Sequence, residues 1–128
     1  MNELLLWLYL ANAVLLINHE IDSAYWKEWD LFRLPGGISG FLLLHFPLTF
    51  LILWGLILVY EKTFAGLVFS LVLGCAGIFA FSIHTYFIRK GRPEFRTRVS
   101  IGILIGALIV SLTQVAASTH AIFKGAGQ

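Results

Sequence analysis

Four stretches of roughly twenty consecutive apolar residues leave this chain few ways to fold. A helix of that length crosses a bilayer, and a water-soluble domain of 128 residues has no interior large enough to hide four of them. Only 12% of residues are charged, 59% are hydrophobic, and mean hydropathy is +0.85. Disorder and a disulfide framework are excluded by those figures and by the single Cys75. A net charge of +2 argues against nucleic acid as a partner. The expected fold is an all-α integral membrane four-helix bundle, a single transmembrane domain over residues 1–128. Its helices are expected at about 4–24, 38–60, 64–88 and 99–122. Strands are not expected, because barrel segments alternate over about ten residues while these runs are continuous.

The connections carry the punctuation. Leu34-Pro35-Gly36-Gly37 stops one helix before the next, Glu61-Lys62-Thr63 makes a tight turn, and Arg89-Lys90-Gly91-Arg92-Pro93 a polar one. Leu4 to Leu10 before Ala11-Asn12-Ala13 has the outline of a signal peptide. Glu3 in place of a basic residue, and an apolar run that continues past the cut, favour a retained helix. Of nine basic residues, Lys27, Arg33, Arg89, Lys90, Arg92, Arg96 and Arg98 fall at one side and only Lys62 and Lys124 at the other. Basic residues stay cytoplasmic, so both termini are expected to face out, in a bacterial inner membrane. Tyr25, Trp26, Trp29 and Phe32 read as an interfacial aromatic belt on the basic side.

Polar residues inside such helices are costly and mark sites. His19 ends the first span, His45 lies roughly 10 Å into the second, and His84 about 30 Å along the third. All three reach one layer near the basic side; His120 ends the fourth helix at the opposite side. Asp22 shares the face of His19, with Asn12 one heptad back, while Glu20 points about 100° away. Gly66, Ser70, Gly77 and His84 form one stripe, the kind of small-residue face that packs inward. Imidazoles with a carboxylate suit zinc or non-haem iron. The expected metal ligands are therefore His19, His45, His84 and Asp22, with Asp22 and Glu20 the candidate catalytic carboxylates of a metal-dependent hydrolase. His19-Glu20 is not the zinc-protease helix motif, since position 23 is serine. The alternatives are a non-enzymatic membrane subunit whose histidines bind haem or a chlorophyll-type pigment, or merely pack in an accessory subunit, and a small transporter. Against the transporter stands the lack of midplane charge.

Lesser expectations concern packing and partners. Gly102 and Gly106 form a GxxxG that could join two copies, and membrane lipids are the other expected partner. Gln114 and Thr113 are expected to bond between helices, and Cys75 to be buried and inert.

His19-Glu20-Ile21-Asp22, Glu28-Trp29 and Leu44-His45-Phe46-Pro47-Leu48 with Trp54 resemble a domain-of-unknown-function family. Its members are short bacterial four-helix membrane proteins with a His-Glu-x-Asp … Glu-Trp … His-x-Pro signature. His84 and Glu94-Phe95 fit the same pattern, and Lys27 stands where that family often has a histidine. The resemblance implies the fold and the motif residues, and no activity. A looser similarity to membrane hydrolases of the ceramidase and progestin-receptor type, which hold zinc with three histidines, adds weight to a metal.

Overall fold

The computed structural model describes residues 3–126. Its elements are α1 (Glu3–Tyr25), α2 (Glu28–Leu31), α3 (Gly37–Tyr60), α4 (Phe64–Arg89) and α5 (Arg98–Ala126). Among the described residues there is no strand. Four of the helices are long and apolar enough to cross a membrane, which makes this an integral membrane protein. The four-residue α2 is an addition to the expected set.

Local chemistry sets the turns. Thr63 caps α4: its Oγ1 accepts from the Gly66 N–H at 3.0 Å and donates to the Leu58 carbonyl at 3.0 Å. Thr97 caps α5 in the same way through the Ser100 N–H at 3.0 Å. Lys62 and Gly36 supply the left-handed backbone that the two short reversals need.

Neighbouring long helices run antiparallel. Tyr9 of α1 donates to the Ile52 carbonyl of α3 at 2.9 Å, while Asn12 of α1 donates to Ser111 and Gln114 of α5 at 3.0 and 2.8 Å. Gln114 goes on to the Ser70 carbonyl of α4 at 2.9 Å, and Ser118 to the Ser70 hydroxyl at 2.9 Å. Hydrocarbon offers these groups no other partner, so pairing them fixes the register of α1, α4 and α5. Close approach makes the pairing possible: a Cβ at Gly77 would stand 2.0 Å from the Ser111 hydroxyl. Gly66, Ser70, Gly77 and His84 are all buried, as the small-residue stripe requires.

Three side chains lie elsewhere than expected. Cys75 is exposed on the outer side of α4, a helix too uniformly apolar to reveal its buried side by hydropathy. Thr113 is also exposed and bonds back to the Ile109 carbonyl of its own helix at 3.0 Å. Gly102 meets nothing within 4 Å, whereas Gly106 faces Leu15, so the two glycines differ in what they touch.

Candidate functional site

The polar residues gather where α1 and α4 end and α3 and α5 begin. His19 and His84 are buried, their rings edge to face at 4.6 Å. The chain leaves α1 at Tyr25, reverses through Lys27 in a left-handed conformation and enters α2, which carries Glu28 back over the bundle. Glu28 Oε1 lies 3.5 Å from His84 Nε2. One nitrogen each from His19 and His84 and one oxygen from Glu28 lie within 4.8 Å of one another.

Glu28 lies beyond the membrane-spanning helices. Burial pushes its carboxyl up, but contact with His84, the Ser23 hydroxyl and the proximity of both imidazoles outweigh that and hold it below the usual carboxylate range. The Nδ1 atoms of His19 and His84 and Oδ2 of Asp22 are buried without a hydrogen-bond partner. Ser23 Oγ is a fourth such atom, and orphaned buried polar atoms are rare, so this end of the bundle holds polar groups that the described residues do not satisfy.

The expected ligands divide between two places. His19 and His84 come together. His45 instead pairs with Glu20, Nε2 to Oε2 at 2.6 Å, and its Nδ1 lies 2.7 Å from the Phe41 carbonyl. Asp22 accepts from the Trp26 indole at 3.0 Å through Oδ1. A carbonyl can only accept, so Nδ1 of His45 carries a hydrogen. Nε2 and the Glu20 carboxyl then share one further proton, whichever of the two holds it. Glu20 lines the same cavity as His19, Glu28 and His84, while His45 stands behind it.

Aromatic rings close the end of the bundle. Phe95 packs on His84 at 4.1 Å and on His19 at 5.6 Å, with Trp26 behind it at 6.4 Å. Phe32 adds a contact to His84 at 6.2 Å, and Trp29 stacks toward Phe41, itself on His45. Of the aromatic residues expected as an interfacial belt, Tyr25 is 76% exposed, while Trp26, Trp29 and Phe32 are half-buried at this end of the bundle. Glu28 is the site residue that depth arithmetic missed. Helical geometry stops at Tyr25, and only the Glu28-Trp29 pair of the family pattern pointed to it.

The fold and the site together define a class: a small integral membrane bundle with a buried two-histidine, one-glutamate cluster at one end. Over residues 5–121 the chain matches a family of unknown function, DUF6713, and it belongs to that family. No curated protein and no solved structure matches it.

Proposed function

We propose that His19, His84 and Glu28 bind a divalent metal, zinc in the first instance, and that the protein is a metal-dependent hydrolase of lipid esters or amides. The single observation that carries this reading is the donor set. Two histidines and one carboxylate leave a coordination position open, which is the composition of catalytic rather than structural zinc sites. Donors on one zinc at about 2 Å stand roughly 3.4 Å apart, close to the 3.5 Å that separates His84 Nε2 from Glu28 Oε1. The unpaired Nδ1 atoms and Asp22 Oδ2 supply what such an ion needs in and around its shell. The edge-to-face rings favour a small ion over a tetrapyrrole between them.

Zinc supplies a Lewis acid that polarises a carbonyl and brings water within reach of ionisation near neutral pH. The chain's own residues complete the cycle. Glu20 and His45 give their shared proton to the departing oxygen or nitrogen and regain one from the attacking water, ending as they began. Asp22, three residues on from His19 and with Oδ2 free of any hydrogen bond, would be the carboxylate available to the shell around the ion. Seven of the nine basic residues lie at this end of the chain's topology, so we assign the site to the cytoplasmic face of a bacterial inner membrane.

Elemental analysis of protein purified after metal-replete expression tests the reading. Wild type should carry about one zinc, and His19→Ala, His84→Ala and Glu28→Gln should each lose it by more than the about 10–100-fold expected of an outer-sphere change such as Asp22→Asn. His45→Ala should keep the metal and lose hydrolysis. Iron in place of zinc would move the same three ligands to non-haem iron chemistry. A wild-type protein free of any transition metal overturns the reading.

A further inference from the structure

The aromatic seal raises the question of how anything reaches the cluster. His19 and His84 are 2% and 1% exposed, with Phe95 and Trp26 between them and the aqueous end. The way in lies to the side. Helices α3 and α4 touch tightly at their shared turn, where a Cβ on Gly66 would stand 2.4 Å from the Leu58 carbonyl oxygen. Beyond Phe69 they part, leaving a cavity of about 290 Å³ that runs to His84. Leu51 of α3 and Val72, Ala76 and Phe79 of α4 form its walls and rim, and Val72 and Phe79 are 61% and 65% exposed on the outer face of the bundle.

Polarity along this cavity is one-sided. His19, Glu20, Glu28 and His84 lie at its closed end, and its other polar group, the Tyr9 hydroxyl, is already bonded to Ile52. Phe69 to His84 is fifteen residues of one helix, about 22 Å. That span of lining helix exceeds one leaflet, half of a hydrocarbon core about 30 Å thick, so a chain standing in the leaflet can run alongside it. Its opening faces hydrocarbon, where the molecules available to enter are lipids.

We propose that the α3–α4 cleft seats the single hydrocarbon chain of a long-chain acyl amphiphile, which slides in sideways from the bilayer and presents its carbonyl head to His19, Glu28 and His84. The chain seat stands on the cleft alone; only the fate of the head group rests on the metal reading. Ala80 and Ala76 lie one and two turns below His84 on the cleft side of α4, where larger side chains would shorten the seat. They therefore set the chain length accepted.

Photolabelling of the full-length protein in phosphatidylcholine nanodiscs, with palmitate bearing a terminal diazirine, tests this. Adducts should concentrate on Leu51, Val72 and Phe69, and unlabelled palmitate should suppress them while octanoate does not. Ala76→Trp and, from the opposite wall, Leu51→Trp should each cut cleft labelling at least about tenfold, the effect of roughly 1.4 kcal/mol in binding. Labelling at outward residues such as Leu43 and Phe46 should be unchanged, and unaltered helicity would show that the variants fold. Labelling spread over all outward faces, or insensitive to both tryptophans and to excess palmitate, overturns the proposal. Saturable cleft labelling in a metal-free wild type would remove the metal reading and leave the seat, and zinc without saturable labelling would do the reverse.

Discussion

Phe95 holds the closed end of the site at a conformational cost. Its φ of 62° is in the left-handed region, which disfavours an L side chain by roughly 1–2 kcal/mol. Burial against His84 and His19 offsets this, and the neighbouring residues fix the loop. Arg92 grips Glu94 with two bonds, Nη2 to Oε1 at 2.7 Å and Nε to Oε2 at 3.2 Å. Slight burial pushes the Glu94 carboxyl up, but the Arg92 guanidinium outweighs it and holds the group below the usual carboxylate range. A carboxyl lowered on folding adds stability above its ordinary pKa and loses it as pH falls through the lowered value. The unfolding free energies of wild type and Glu94→Gln should therefore differ at neutral pH, by no more than about 1 kcal/mol for such a surface pair. The difference should vanish in acid, and Arg92→Ala should shrink it at neutral pH, leaving the part that the backbone hydrogen bond and Arg96 supply. A gap that persists at strongly acid pH would show that the ion pair is not its source.

At the scale of elements, the closeness of α4 and α5 is what admits the Asn12–Ser111–Gln114–Ser70 chain of bonds. Gly77→Ala places a methyl on the Ser111 hydroxyl and should cost about 1–3 kcal/mol, the range of overpacked cores. Gly102→Ala, with open space around it, should leave the stability of the single chain unchanged. Denaturation in micelles followed by circular dichroism distinguishes them, and equal effects would contradict the packing described. The four long helices were legible because bilayer thickness imposes a length that hydropathy records directly. The inward face of α4 was legible too, since small residues at seven-residue spacing reported it. That stripe also carried the signal for Cys75, which lies two residues and about 200° from Gly77; hydropathy alone did not, because the helix is apolar on every side. Glu28 was not legible as a neighbour of His84: its position depends on a reversal at Lys27 and a single turn of helix, features no periodicity encodes. His45 lay at the right depth, but depth cannot tell that its Nε2 turns to Glu20 rather than to His84.

For the whole molecule, the distribution of charge makes orientation a measurable property. A reporter fused after Gln128 should be active outside the cytoplasm, and a cysteine placed at Gly91 should react with an impermeant reagent only once the membrane is opened. The opposite pattern would place His19, Glu28 and His84 on the outer surface. Two copies joined through Gly102 would appear as a dimer in nanodiscs that Gly102→Leu dissolves; a monomer in both states removes that seam. The sideways opening between α3 and α4 also determines what concentration means for this protein. A molecule arriving through that opening is counted against the lipids around it, not against the volume of buffer. Its occupancy should follow mole fraction in the bilayer and fall when inert lipid is added, even though the total amount in the tube is constant.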